Sequence, residues 1–145
     1  MGDGARCGRV GEIFLGGAVK RAVAIAPLLA LAACAPAPTW QVVSLRSSED
    51  QPATEASIAR VRIDDQRFSG TTGCADVSGS FEGEDTITLE NIALGDPGDC
   101  SGWARHTHDQ LEHLLTDNRT FQVSHPADFE MILVADSGET LRLMR

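Results

Sequence analysis

Short runs of alternating apolar and polar residues make up most of the chain after residue 39, and this alternation restricts the folds available to it. Residues 57–63 are the clearest case: Ala59, Val61 and Ile63 share one face and charged residues share the other, as in a half-buried strand. Turn-forming residues separate such runs at 64–66, 82–85, 125–128 and 136–139. Further strands are predicted over residues 39–45, 67–71, 78–81, 86–91, 120–124, 129–134 and 140–144.

One segment has a different period, and it predicts an amphipathic helix over residues 102–116. Ser101 or Asp99 is expected to cap its start, and Asp117 with Asn118 its end. Its apolar stripe, which with Trp40 is expected to pack in the core, consists of Trp103, Thr107, Leu111, Leu114 and Leu115. The pattern therefore predicts an α+β domain: an antiparallel curved sheet or small open β-barrel of short strands, with one packed amphipathic helix.

The N-terminal part of the chain has the composition of a secretory signal peptide. Lys20 and Arg21 precede 12 apolar residues, 22–33, which end in small side chains. A membrane-spanning helix needs roughly 20 apolar residues, so this run is too short to be one. Its end, Leu-Ala-Ala-Cys34, resembles the bacterial lipobox, whose cysteine is acylated and becomes the first residue of the mature protein. The alternative is a plain signal peptide cleaved after residue 37.

These features predict three regions: a signal peptide (1–33), a lipidated Cys34 with a linker (34–39), and one domain (40–145). Residues 1–18 are rich in glycine and partly acidic, unlike a signal peptide, so translation starting near Val19 is an alternative. The expected location is the cell envelope, with Cys34 anchored to the outer face of the cytoplasmic membrane or to the outer membrane.

The charge of the mature part excludes nucleic acid as a partner. From Cys34 onward there are 19 acidic residues and eight basic ones, all arginine, a net charge of −11. Phosphate binding needs clustered basic residues, and here they are scattered. Such a surface also repels anionic lipid headgroups, so membrane attachment must come from a covalent lipid or a partner.

The four cysteines are assigned to different fates. Cys7 lies in the predicted leader and Cys34 carries the predicted lipid, which leaves Cys74 and Cys100. A pair of cysteines in an exported domain predicts a disulfide, and closing a loop of this length stabilises by roughly 3–4 kcal/mol. Two free thiols, or a redox or metal-binding pair, are the alternatives, although the chain has no Cys-x-x-Cys motif.

Several segments together resemble one known family. They are Trp40, Phe68–Cys74, Gly79–Phe81, Thr86–Leu89, Ile92–Leu94, Cys100 and Asp136–Leu141. In this order they resemble the META family, the HslJ-like domain of many bacterial envelope lipoproteins, over residues 39–145. The chain departs from that family at Ala75, where asparagine is usual, and at Phe81, which is often tyrosine. The resemblance implies a strand-rich fold with a helix, an envelope location and an association with stress tolerance. It implies no enzymatic activity.

The polar residues of the predicted helix offer one candidate metal site. His106, Asp109 and His113 fall on one helix face, so zinc is conceivable, but no fourth ligand is evident. Asp109 and His113 are instead predicted to form an ordinary i, i+4 pair, with His108 pointing elsewhere. No metal or cofactor is predicted.

Other candidate sites have equally ordinary explanations. Acidic residues that suggest calcium match no known ligand spacing and are predicted to be solvated; they are Glu82, Glu84, Asp85, Asp96 and Asp99. Ser78 and Ser101 lie outside any nucleophile motif, so pairing with His106 or His125 is a remote hydrolase hypothesis. No catalytic residue is predicted.

The leading functional prediction is a non-enzymatic, lipid-anchored envelope protein that binds a protein or peptide partner. The alternative is a carrier of a small hydrophobic ligand, held in the open end of the barrel by Trp40, Phe81 and Phe121. The structure can separate the two, because an apolar cavity favours the carrier and a filled core removes its basis.

Overall fold

The computed structural model describes residues 36–48, 50, 53–55 and 58–145. The predicted signal peptide, the alternative start near Val19, and Cys7 and Cys34 lie outside the described residues. The elements of the described part are β1 (Thr39–Arg46), β2 (Thr54–Glu55), β3 (Arg60–Asp64), β4 (Arg67–Thr71), β5 (Asp76–Gly83), β6 (Thr86–Leu94), α1 (Gly102–Leu114), β7 (Thr120–Ala127), β8 (Glu130–Ala135) and β9 (Thr140–Met144).

The strands close into an antiparallel barrel. From β3 to β9 each strand pairs with the next one along the chain. β1 closes the circuit because it pairs on both edges, with Trp40 opposite Val61 of β3 and Val42 opposite Leu143 of β9. The two-residue β2 pairs with the last part of β1. The predicted antiparallel barrel with one helix is confirmed, but the sheet is closed rather than curved and open.

Because neighbouring strands are antiparallel, the connections between them alternate between the two ends of the barrel. The turns at 65–66, 84–85 and 128–129 lie at one end, together with Thr39 and Arg145, and this is called the hairpin end. The links β4–β5, β6–β7 and β8–β9 lie at the other. The β6–β7 link contains α1, so this is called the helix end.

The inward faces of the strands form one core with the helix. Its buried apolar residues are Trp40, Val42, Leu45, Ala59, Ile87, Leu89, Leu111, Leu114, Phe121, Leu133, Ala135, Leu141 and Leu143. Gly79 on β5 has a packing role, because a Cβ there would lie 2.7 Å from Ile92 and 2.8 Å from the ring of Phe68. The missing side chain therefore makes room for two larger neighbours on the adjacent strands.

The helix packs as predicted along most of its length, with Leu111 and Leu114 buried. The prediction that Trp103 packs in the core is wrong: this residue lies in the first turn of the helix and is 57% exposed. The helix also ends at Leu114, before the predicted cap at Asp117, whose carboxylate accepts a hydrogen bond from the Ile92 N–H at 2.8 Å instead. In the described part of the chain, no helix is long and apolar enough to cross a membrane.

The predicted turn at 125–128 is also wrong. β7 continues to Ala127, with a bulge between Ser124 and Ala127, and the chain reverses at Asp128 and Phe129. Pro126 is compatible with a strand here because the bulge removes the need for its missing N–H.

The predicted disulfide between Cys74 and Cys100 is confirmed, with the two Cα atoms 5.7 Å apart. It ties the β4–β5 link to the segment just before α1. The disulfide thus fastens the helix to the helix end of the barrel.

Candidate functional site

The barrel encloses a cavity of about 520 Å³ with an apolar wall. All eight barrel strands contribute to that wall, and residues of the helical segment close one side. The apolar lining residues are Val42, Ala59, Val61, Ile63, Phe68, Val77, Phe81, Ile87, Leu89, Leu111, Leu115, Phe121, Val123, Met131, Leu133, Leu141 and Leu143. The volume lies within the range of roughly 300–1,000 Å³ that is typical of small-molecule sites.

The local sequence explains why space remains inside. An eight-stranded barrel is just wide enough either to be filled by side chains or to hold one small ligand. The inward positions here carry mostly valine, isoleucine and leucine, while the whole chain has five phenylalanines, two tryptophans and no tyrosine. Branched aliphatic side chains are shorter than aromatic ones, so opposite walls do not meet across the axis.

The two ends of the cavity differ in chemistry. At the helix end, Leu111 and Leu115 form an apolar floor. At the hairpin end the lining is polar and belongs to the turns and to β7. The polar residues there, called the rim, are Asp65, Gln66, Glu84, Asp85 and His125. The lining at the helix end also includes Thr71 and the exposed Arg60, so the cavity has a partly apolar floor there and its larger polar rim, the mouth, at the hairpin end.

The rim is acidic. Three of its five residues are carboxylates, Asp65, Glu84 and Asp85, and all three are exposed. The basic lining residue is Arg60, which lies at the start of β3, away from the β3–β4 turn. A ligand with a negatively charged headgroup would meet three like charges at the mouth, so the rim favours neutral or cationic heads.

Two of the three aromatic residues predicted to line a pocket do so. Phe121 is fully buried and Phe81 half-buried, and both contribute to the cavity wall. Trp40 is buried in the core but is not part of the cavity wall. The guanidinium of Arg145 lies 5.0 Å from the centre of its ring. Trp40 therefore seals the barrel wall near the hairpin end, with Arg145 stacked over it.

Sequence reasoning missed most of the cavity wall, including Phe68, Val123 and Met131. Phe68 and Val123 alternate with polar neighbours on their strands, so the period-two pattern identifies them as inward, whereas Met131 lies in the apolar run 131–135, whose inward face the pattern does not identify. The pattern alone does not reveal that their side chains stop short of one another.

The proposed metal-binding face of the helix is not assembled. Asp109 accepts a hydrogen bond from the Nε of Arg105 at 2.7 Å, so the predicted pair with His113 is replaced. His113 Nε2 lies 3.9 Å from the Oε1 of Glu139. The ring of His106 lies 5.7 Å from that of Trp103.

A different trio on the helix comes together, namely His108, Asp109 and Glu112, with one potential ligand atom from each within 4.8 Å of the others. His108 lies on the buried face of the helix and is 1% exposed. Its Nδ1 is 2.8 Å from the Oγ1 of Thr72. Because Arg105 already holds Asp109, this trio is a set of packing and surface contacts rather than an open site.

The remaining candidates do not form sites. Ser78 and Ser101 are exposed, and within residues 58–145 no hydrogen bond joins either to a histidine. The acidic residues proposed for calcium are divided between the ends of the barrel. Glu84 and Asp85 lie at the hairpin end, and Asp96 and Asp99 follow β6 at the helix end.

Glu139 is a buried carboxylate in the turn between β8 and β9. Burial disfavours its charged form, but hydrogen bonds from the Ser137 hydroxyl and from Arg119, at 2.5 Å, outweigh this effect and lower its pKa. Arg119 precedes β7, so the charged pair ties the β8–β9 turn to the start of β7. This position at the helix end gives Glu139 a structural role.

Comparisons with known proteins identify the fold. No family model matches the chain, and no curated protein matches it; the resemblance to the META family stays a prediction. Among solved structures, a protein from Burkholderia xenovorans has 19% identity and a TM-score of 0.58, covering 86% of this chain and 94% of its own. A lipocalin-like protein from Bacteroides uniformis has 13% identity and a TM-score of 0.51, covering 75% and 97%. An uncharacterized protein from Bacteroides eggerthii has 15% identity and a TM-score of 0.50, covering 75% and 98%. At these identities the likeness concerns the fold alone.

Proposed function

We propose that this domain binds a small apolar molecule in the barrel cavity, and that the mature chain is held at an extracytoplasmic membrane surface by a lipid on Cys34. The observation that carries the proposal is the apolar cavity of about 520 Å³. Protein cores normally contain few voids larger than a water molecule. A much larger apolar space loses contacts that a filled core would make, so an occupant offers the missing stabilisation.

The cavity favours the alternative prediction, a carrier of a small ligand, over the leading prediction of a protein- or peptide-binding domain. The exposed large apolar side chains of the described residues are Trp103 and Phe129. Trp103 lies on α1 at the helix end and Phe129 in a turn at the hairpin end, so the two do not form one apolar patch. A peptide-binding surface needs a contiguous apolar region, whereas a small ligand needs only the interior.

The fold is compatible with this function. Eight-stranded barrels recur as containers for one small ligand. One structural neighbour is described as lipocalin-like, which supports the analogy in architecture. The proposal that the protein is not an enzyme rests on the sequence, in which no catalytic motif was found.

A neutral fluorescent probe tests the proposal directly. N-phenyl-1-naphthylamine fluoresces strongly only in an apolar environment, and we expect saturable binding to the mature protein at one site. Val123 points into the cavity, so Val123→Trp fills part of it, while its exposed neighbour Gln122 points outward. We expect Val123→Trp to weaken probe binding at least tenfold and Gln122→Trp to change it less than twofold.

Near-UV circular dichroism and thermal unfolding verify that both variants are folded. Absence of saturable binding by the wild type, or wild-type affinity in a folded Val123→Trp variant, contradicts the proposal.

A further inference from the structure

The mouth of the cavity and the start of the domain lie at the same end of the barrel. β1 begins at Thr39, and its pairing with β3 and β9 places that residue at the hairpin end. The rim residues of the turns after β3 and β5 are at this end too. The chain that precedes the domain therefore joins it beside the mouth.

We infer that the hairpin end is a membrane-contacting surface: with a lipid on Cys34, the cavity mouth faces the bilayer, and an uncharged single-chain lipid enters it from there. This inference rests on the proposed function and adds the partner surface and the ligand class. Cys34 precedes Thr39 by five residues, which span at most about 17 Å when extended. The barrel is about 20 Å tall, from the length and usual tilt of its strands. The tether thus keeps the mouth close to the bilayer.

An exposed aromatic side chain at this end suits an interface with lipid. Phe129, in the turn between β7 and β8, is 51% exposed. Its position is held by the C-terminus: the Arg145 N–H donates to the Phe129 carbonyl at 3.0 Å, and the Arg145 Nε to the Asp128 carbonyl at 2.9 Å. A phenylalanine held outward in water is unfavourable, whereas the boundary between headgroups and acyl chains accommodates it.

The charges near the mouth define which lipids suit it. At the hairpin end the turn carboxylates Asp65, Glu84, Asp85 and Asp128 outnumber the arginines Arg67 and Arg145, so this surface disfavours anionic lipids, which is consistent with attachment through a covalent tether. The carboxylates also disfavour a carboxylate or phosphate head on the ligand. An uncharged head avoids this repulsion and an apolar chain fits the cavity wall.

Tryptophan quenching by spin-labelled lipids tests the orientation. The lipidated protein, extracted from membranes and verified by intact mass, is placed on phosphatidylcholine vesicles that carry a nitroxide at headgroup depth. Trp103 reports on the helix end, and Phe129→Trp combined with Trp103→Phe reports on the hairpin end. Trp103→Phe alone measures the contribution of buried Trp40.

We expect the hairpin-end reporter to be quenched at least twofold more than the Trp103→Phe control, and the wild type no more than that control. Quenching of Trp103 that equals or exceeds quenching of the hairpin-end reporter overturns the inference. It is also overturned if the mature protein carries no lipid and does not associate with the vesicles.

A second measurement separates this inference from the proposed function. A fluorescent monoacylglycerol is placed in the same vesicles, and its transfer into the protein is followed with the wild type and with Val123→Trp. We expect transfer to the wild type and at least fivefold less to the variant. Binding of N-phenyl-1-naphthylamine without hairpin-end quenching overturns the orientation and leaves the proposed function standing. Hairpin-end quenching without Val123-dependent binding overturns the proposed function.

Discussion

The two ends of the barrel are held together by different interactions. At the helix end there are a disulfide from Cys74 to Cys100, a buried hydrogen bond between Thr72 and His108, and the buried Glu139 with its partners. At the hairpin end the strands meet in tight turns, and the cavity mouth is lined by exposed polar residues.

The helix end therefore contributes mainly to stability, and the hairpin end forms the entrance to the cavity. A barrel that keeps a cavity gives up contacts in its centre and at its mouth. Polar and covalent links concentrated at the helix end compensate for that loss without filling the space. We therefore expect changes at the helix end to alter stability and changes at the hairpin end to alter binding.

Removing the disulfide should have the largest effect. The double substitution Cys74→Ala with Cys100→Ala opens a loop defined by cysteines 26 residues apart, which should lower the free energy of unfolding by roughly 3–4 kcal/mol. Urea unfolding measures this change. Because the bridge lies away from the mouth, the folded fraction of the variant should keep probe affinity within twofold of the wild type. A large loss of affinity at unchanged stability breaks the proposed division between the two ends.

Glu139→Gln should have the next largest effect. It removes a buried charge whose partner is Arg119, which should cost about 2 kcal/mol at pH 7. The pKa of Glu139 is lowered in the folded state, so its stabilisation is present above the unfolded pKa of about 4.3 and is lost as the pH falls through the lower folded value.

The difference in unfolding free energy between wild type and Glu139→Gln should therefore be full at pH 7 and should decrease as the pH is lowered below about 4.3. Asp136→Asn is the matched control, since Asp136 is exposed in the same turn, and it should change stability by less than 0.5 kcal/mol. Equal effects of the two variants at pH 7 contradict the role assigned to Glu139.

Charges at the rim should have the smallest effect, and only on binding. We expect wild-type affinity to decrease from dodecylamine through dodecanol to laurate, because the rim repels an anionic head. Glu84→Gln with Asp85→Asn should improve laurate binding about threefold at low salt, or roughly 0.7 kcal/mol. Isothermal titration calorimetry measures each affinity.

Asp96→Asn with Asp99→Asn removes the same charge at the helix end and should leave laurate binding within about 1.5-fold of the wild type. Similar improvement in both pairs would show that net charge, rather than the rim, determines headgroup preference.

Most of the fold could be predicted from the local pattern of apolar and polar residues. Val61 and Ile63 alternate with charged residues and lie in β3, Arg60–Asp64, which begins three residues later than the predicted strand over 57–63, and its partner β4 has the predicted bounds. Trp103 shows the limit of such reasoning. Its spacing from Thr107 and Leu111 fits the apolar stripe, but it lies in the first turn of α1 and is exposed. A helical period identifies a face of the helix, whereas burial depends on which tertiary neighbours each turn of that face meets.

The cavity was harder to predict from the sequence than the fold was. Phe81 and Phe121 line the cavity as predicted, but Trp40 does not, although all three have the inward parity expected from their strands. Trp40 packs in the barrel wall beneath Arg145, the last residue of the chain, and no local pattern connects these two positions.

The amino-acid sequence by itself determined which faces of the strands turn inward, where the helix lies and which two cysteines pair, because alternation, helical period and cysteine count are local or compositional properties. Only the tertiary structure decided that β1 pairs with β9, that the interior retains about 520 Å³ and that the polar rim of the cavity lies at the same end of the barrel as Thr39. These features depend on the register and separation of strands far apart in sequence, and those are established only when the whole barrel closes.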